Sequence, residues 1–259
     1  MCVFNNIIAQ FDPISLSQMD EVKLMNRTDS KFFFNHEKLH QILEQARSSY
    51  RVLEVCNERI LDYRTQYFDT EDFKMYKAHQ NSKLNRYKIR QRVYLSSNLS
   101  FLEIKFKSNK GITLKKRIKT EQFSQPLNEN EQRFIEAQTP YEYRYLRKAL
   151  INNFSRITLV HNQAKERVTI DLNLNFQNSE TSYDLPFLAI AEVKREGLSA
   201  SDFIKILKEN RIYSQSISKY SIGALLLNKH LKHNRFKNKL ISLIKIANND
   251  QYYSMLRRN

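Results

Sequence analysis

Apolar and polar residues alternate with a period of two through much of the chain, most sharply in Arg86-Tyr87-Lys88-Ile89-Arg90-Gln91-Arg92-Val93-Tyr94. Side chains alternate faces along a strand, so Arg86, Lys88, Arg90 and Arg92 share one face and Tyr87, Ile89 and Val93 the other. Phe101 to Lys107 repeats the pattern, with Glu103, Lys105 and Lys107 opposite Leu102, Ile104 and Phe106. Ile112 to Thr120 sets Lys115, Arg117 and Lys119 against Ile112, Leu114 and Ile118, with Lys116 the exception. Successive strands thus repeat one cationic face. Burying unpaired cations costs several kcal/mol each, so this face must meet water or an anion. It is either the outside of a sheet or the lining of a wet cavity.

The same alternation predicts strands over Arg27 to Phe34, in two pieces within residues 51–70, and over Phe154 to Leu159, Glu166 to Asn175 and Phe187 to Glu196. In the last of these Glu192 and Lys194 share a face. Helical spacing predicts a brief helix after Ser15 and one capped by Asn35 or His36 carrying Leu39, Ile42, Leu43 and Ala46. Between Pro126 and Pro140 and beyond, Glu129 to Ala137 and then Tyr145, Leu146, Ala149 and Leu150 read as a helical middle. A further helix starts near Ser199 or Ser201 with Phe203, Ile206 and Leu207. Residues 223–259 read as helical and basic, either packed on the domain or lying on an acidic membrane surface, with packing favoured. Many antiparallel strands with one polar face each, and helices between them, predict an α+β fold: a closed antiparallel β-barrel with a polar, cationic lumen and helices packed outside.

Charge sharpens this picture. Lys and Arg total 43 against 27 Asp and Glu, a formal +16, which points to polyanionic partners without choosing among nucleotides, polyphosphate, nucleic acid and acidic lipid. Only Cys2 and Cys56 are present and their spacing is not that of a metal site, which fits a reducing, cytoplasmic setting. No secretory leader or apolar run long enough to span a bilayer is evident. With 3 Gly and no Gly-rich loop ending in Gly-Lys-Ser/Thr, a backbone phosphate cradle of the P-loop kind is excluded.

The order of the motifs Arg27-Thr28-Asp29-Ser30-Lys31, Tyr67-Phe68-Asp69-Thr70, Lys88-Ile89-Arg90-Gln91-Arg92, Phe101-Leu102-Glu103-Ile104-Lys105, Arg167-Val168-Thr169-Ile170-Asp171, Glu192-Val193-Lys194 and Ser218-Lys219-Tyr220 resembles the triphosphate tunnel metalloenzymes, and within them the VTC branch. The resemblance covers residues 20–222 and implies an N-terminal lead-in (1–26), a tunnel domain (27–222) and a basic C-terminal segment (223–259). It implies Arg90, Arg92, Lys105, Arg156 and Lys219 as catalytic cations, Arg27, Lys31, Arg167 and Ser218 as phosphate-binding residues, and Glu192 as ligand of Mn2+ or Mg2+. Lys115 or Lys116 adds a further cation. Two departures stand out: Arg27-Thr28-Asp29-Ser30-Lys31 replaces the alternating glutamates of the wider superfamily, and Phe154 stands where the branch commonly has tyrosine. The fungal relatives' phosphate-sensing and membrane-spanning regions are not in this chain.

The activity so implied is metal-dependent phosphoryl transfer, foremost polyphosphate synthesis from ATP, with ATP or another triphosphate and polyphosphate as partners. The alternatives are a triphosphatase, a non-catalytic polyphosphate binder and a nucleic-acid module; a peripheral membrane or membrane-protein partner stays open. Nucleic acid is disfavoured because Tyr87 falls on the apolar side of its strand, away from the basic face. Read singly, each charged alternation is a solvated outer face, Asp171 and Glu103 are salt-bridge partners that orient cations, and Asp69 is a strand-end turn residue.

Overall fold

Alternation and helical spacing become strand and helix at most of the expected positions. The computed structural model describes residues 4–21, 27–121, 123 and 126–247, with the backbone alone at 20, 21 and 27. The rest of the expected lead-in and residues 248–259 of the C-terminal segment lie outside the described residues. In chain order the first elements are α1 (Asn5–Ala9), β1 (Pro13–Ile14), α2 (Leu16–Glu21), β2 (Arg27–Asn35), α3 (Leu39–Ala46), β3 (Tyr50–Leu53), β4 (Ile60–Thr70), α4 (Lys74–Gln80), β5 (Arg86–Tyr94), β6 (Leu99–Lys107) and β7 (Thr113–Lys119). There follow α5 (Glu129–Gln138), β8 (Leu146–His161), β9 (Glu166–Gln177), β10 (Ser182–Leu185), β11 (Leu188–Glu196), α6 (Asp202–Glu209), α7 (Lys219–Leu227) and α8 (Lys237–Ala247). No helix among the described residues is long and apolar enough to cross a membrane.

The strands hydrogen-bond in the order β2-β11-β9-β8-β4-β5-β6-β7, with β10 on β9 and with β3 joining β1 to β8. The fold is α+β, but the expected closed barrel is not formed: among the described residues β2 and β7 end the path and do not pair with each other. The composition of β7 gives the reason. It carries Lys115, Arg117 and Lys119 on one face and Lys116 beside Leu114 and Ile118 on the other, and nearly all its side chains are exposed, the charged composition that keeps an edge strand from pairing further.

A second correction concerns residues 146–150. Leu146, Ala149 and Leu150 have helical spacing, yet they open β8, a strand of 16 residues. The apolar run continues through Phe154, Ile157, Leu159 and Val160 without a cap to stop it. Asn152 and Asn153 fasten this half of the strand to Asn175 through side-chain bonds of 2.9 and 3.0 Å. Pairing between strands overrides a short local helical pattern.

The described residues form two compact units, each discontinuous in sequence. The first takes in residues of 1–62, 154–174 and 185–217, and the second those of 63–153, 175–184 and 218–259. In the first unit β11 lies between β2 and β9, and register places Phe32, Ala191 and Ile170 on one face and Lys31, Glu192 and Thr169 on the other. The apolar face packs with Leu39, Ile42 and Leu43 of α3 and Phe203 and Leu207 of α6. Ser201 caps α6 by accepting from the N–H of Ile204 at 3.1 Å, and the buried Tyr50 hydroxyl accepts from the N–H of Phe203 while donating to Glu166.

In the second unit β5, β6 and β7 pair in antiparallel register. Their apolar face buries Ile89, Leu102 and Ile104 with Ile135 of α5 and Leu146. Tyr87 packs on this side, its ring 4.7 Å from Phe106 and 6.0 Å from Tyr141, so it is not available for stacking from the basic face. Asp69 ends β4 as expected and does more: its carboxylate accepts from the N–H groups of Thr70, Met75 and Tyr76 and from the Tyr220 hydroxyl, tying α4 and α7 to the strand.

The helix expected from Gly223 starts at Lys219 instead, capped by Ser218. A Cβ on Gly223 would come within 2.4 Å of Phe176 Cδ1 and 3.1 Å of Leu150 Cδ2. Gly223→Ala is therefore expected to destabilise the protein by about 1–3 kcal/mol, although alanine is the better helix former by about 1 kcal/mol. Urea unfolding checks this: the midpoint should fall at unchanged slope, and a midpoint at or above the parent's would refute the close packing.

Candidate functional site

The cations of the second unit stand in rows set by strand register. Lys88 pairs with Lys105 and Lys105 with Lys115; one step along, Arg90 pairs with Glu103 and Glu103 with Arg117; one further, Arg92 pairs with Phe101 and Phe101 with Lys119. Like charges directly opposite one another are destabilising, so the lysine row favours an anion above it. Register also settles which of two lysines joins this face: Lys115 does, while Lys116 lies opposite Ile104 on the other side.

Glu103 organises the face. Its fully buried carboxylate takes Arg90 at 2.6 Å on one oxygen and Lys115 on the other. Burial alone would raise this carboxyl, but Arg90, Arg92 and Lys115 outweigh it and hold it well below the usual carboxylate range. Arg92 is itself buried, donating to Thr65 at 3.2 Å with its guanidinium 5.7 Å from the Tyr63 ring centre. The expectation that Glu103 orients cations holds.

Ser218 accepts from Lys88 Nζ at 2.9 Å and from the N–H of Ser221 at 3.3 Å. A serine hydroxyl has two lone pairs and one proton, so with both lone pairs engaged its proton is left to donate. This suits the phosphate-donor role expected for it. Lys219 follows as the first residue of α7, where the helix dipole also favours an anion.

In the first unit the polar face of β2, β11 and β9 carries a second cluster. Asp29 pairs in register with Lys194 and Lys194 with Arg167; Lys31 pairs with Glu192 and Glu192 with Thr169. Glu192 lies 2.5 Å from Lys194 and 3.7 Å from Lys31. Burial would raise its carboxyl, yet Lys194 and Lys31 bring it down to about 2. Arg156 forms a two-pronged pair with Asp171, at 2.6 and 2.9 Å, beside the Phe154 ring at 5.3 Å. Asp171 is thus a partner that orients Arg156. Arg27 enters β2 opposite Glu196.

The expected site residues are therefore gathered within each unit. Arg90, Arg92, Lys105, Ser218 and Lys219 belong to the second unit, and Lys31, Arg156, Arg167 and Glu192 to the first. Lys88 and Lys194 stand on the faces that alternation gives them, beside Arg90 and Glu192, although neither is among the expected site residues.

Among the described residues no three or more His, Cys, Asp and Glu side chains gather as a metal cage. Glu192 is held by Lys194 and Lys31, but unlike the buried Glu103 and Asp171 it is partly exposed, and it is ionised, so it can offer an oxygen to an ion. Mg2+ and Mn2+ prefer oxygen, and Mg2+ is commonly held by one or two carboxylates together with substrate phosphates and water. The donor set fits an ion on those terms.

Residues 26–228 match the VTC domain. The chain belongs to the VTC domain family. Membership supports triphosphate-related phosphoryl transfer as the class of chemistry, together with dependence on a divalent metal. Comparison of the VTC-domain chain with curated proteins gives no match. Among solved structures it is similar to an adenylate cyclase candidate from Bacillus halodurans at 15% identity, covering 75% of this chain and 96% of that one with a TM-score of 0.48. It is also similar to an adenylate cyclase candidate from Vibrio parahaemolyticus at 8% identity, covering 76% and 98% with a TM-score of 0.47. A third is an adenylyl cyclase candidate from Hippeastrum described as having a dominant triphosphatase activity, at 12% identity, covering 79% and 97% with a TM-score of 0.45.

Proposed function

We propose that this VTC-domain protein makes inorganic polyphosphate from ATP. The observation that carries the reading is the row Lys88, Lys105 and Lys115 beside Arg90 and Arg92, five cations on one face with a single carboxylate, Glu103, among them, an excess of positive charge suited to a multiply charged anion. In the transfer, the terminal oxygen of a phosphate chain attacks the γ-phosphorus of ATP. One P–O bond forms, the bond from the γ-phosphorus to the β-phosphate oxygen breaks, and ADP leaves. The attacking oxygen is already ionised, so no protein base is required, and the work left to the protein is positioning and charge stabilisation.

In the second unit Arg90 and Arg92 offer planar forks that match phosphate oxygens in pairs, Lys105 and Lys219 act as compact charges and Ser218 donates a hydrogen bond. In the first unit Arg156 is a further fork, and Arg27, Lys31 and Arg167 are further phosphate-binding cations. Asp171 and Glu103 fix their arginines before substrate arrives, so little reorganisation is left to the reaction. A divalent ion at Glu192, Mn2+ or Mg2+, would neutralise charge on the phosphate oxygens.

Incubation of the full chain with ATP and Mn2+, with and without a short polyphosphate primer, tests this by resolving ADP, free phosphate and chain length. Chains that lengthen with stoichiometric ADP, and that disappear in Glu192→Gln, are expected. Free phosphate without chains would replace the polymerase with a triphosphatase. Absence of any turnover would overturn the enzymatic reading.

A further inference from the structure

We propose that the α7–α8 end of this chain docks on the surface of an anionic phospholipid membrane. From Ser218 to Asn249 the sequence contains no Asp or Glu and seven Lys and Arg, although the chain as a whole carries 27 acidic residues in 259. No acidic residue of the stretch itself offsets this charge.

The helix that presents this charge is held in place by its neighbours. α8 buries Leu240, Leu243 and Ala247, and the turn before it inserts Phe236 near the rings of Tyr76 and His79, at 6.1 and 5.7 Å. Tyr76 donates to the Lys232 carbonyl at 2.7 Å, and Arg235 donates to the Asn81 carbonyl at 2.7 Å. The basic face is therefore preformed on α4.

What it presents outward is Lys237, Ile241 and Lys245, spaced four residues apart on one exposed stripe, with Lys232 and Arg235 just before them. The main apolar face of α8 is spent on the protein, and what remains outward is a single isoleucine, 39% exposed, between two lysines, so attraction to lipid is chiefly electrostatic with one apolar tip added. The apolar tip enters the headgroup boundary while the lysine stems lie along it and their ammonium groups reach the lipid phosphates. At 11 residues α8 is about 16 Å long, too short to span and suited to lying in the plane. Single-stranded nucleic acid fits less well, because its binding uses exposed aromatic platforms. The exposed tyrosines among the described residues, Tyr143, Tyr145 and Tyr213, all lie outside 219–247.

Sedimentation of the full chain with vesicles tests the proposal, using phosphatidylcholine with about one-quarter phosphatidylserine against phosphatidylcholine alone. Excess short polyphosphate stays present throughout, to occupy the β5–β7 face so that it does not report on lipid. Binding is expected only with the anionic vesicles and should be lost at high salt. Each basic residue near such a surface contributes about fivefold, so Lys232→Gln/Lys237→Gln/Lys245→Gln together should weaken binding roughly 100-fold. Ile241→Ser should weaken vesicle binding without changing retention on polyuridylate. Both variants should keep the parent's thermal melt and its rate of ATP turnover. Equal binding to uncharged vesicles, unchanged binding by the triple variant, or tighter binding to polyuridylate than to the vesicles would each overturn the proposal.

Discussion

Replacing Glu103 with alanine is expected to cost about 3–5 kcal/mol, because it leaves buried cations without their counter-charge. Glu103 is fully buried on β6 and holds Arg90 and Lys115, with Arg92 bearing on the same carboxylate. Urea unfolding of the full chain should show the loss. Arg90→Ala in the same background should recover part of it, since the orphaned guanidinium goes with the substitution. A loss below about 1 kcal/mol would mean that water already compensates these cations. The sign of the acid dependence follows from the depressed carboxyl. Its stabilisation is fully present above the unfolded value of 4.5 and is lost as pH falls through the lower folded value. A Glu103→Gln variant should therefore lose less stability on acidification than the parent does.

Arg90→Ala is expected to lower turnover by about 10²–10³-fold while leaving the protein folded, if the polymerase reading is right. The contrast with Glu103 lies in what is left behind. Without Arg90 the Glu103 carboxylate keeps Lys115 and Arg92, whereas without Glu103 the three cations lose the carboxylate they share. Arg90→Lys should recover only a small part of the rate, because an ammonium keeps the charge but not the planar fork. Steady-state rates on ATP with a polyphosphate primer decide it: a loss concentrated in kcat marks contact made in the transition state, and a rise confined to KM marks ground-state binding alone. Activity within about threefold of the parent would remove Arg90 from the catalytic cations.

Much of this was legible in the residues themselves. The period-two alternation of Arg86 to Tyr94 located β5 and its cationic face, and it placed Tyr87 on the apolar side where it packs on Phe106. Asp171 and Glu103, read as partners of cations because they share a face with them, pair with Arg156 and Arg90. What stayed illegible depended on distance along the chain. Leu146, Ala149 and Leu150 satisfy helical spacing locally, and only the partners of β8 make them strand. Closure of the sheet was inferred from the number of polar-faced strands, but alternation reports which way a side chain points and not whether the first and last strands meet. Alternation places Lys88 on the cationic face, but not its bond to Ser218, which spans 130 residues of sequence.

The charges of β7 also bear on how this protein behaves in concentrated solution. A strand with one partner offers its free backbone groups to any second strand, including the same edge of another molecule, at the sheet spacing of about 4.8 Å. Here that approach would bring Lys115, Lys116, Arg117 and Lys119 against their own copies. At about 0.1 M salt the screening length is about 10 Å and the two edges repel; at about 1 M it shrinks to about 3 Å and the repulsion fades. Light scattering should accordingly show a monodisperse particle at moderate ionic strength and edge-to-edge association as salt is raised, so that colloidal stability rests on the same lysines that leave the strand without a second neighbour.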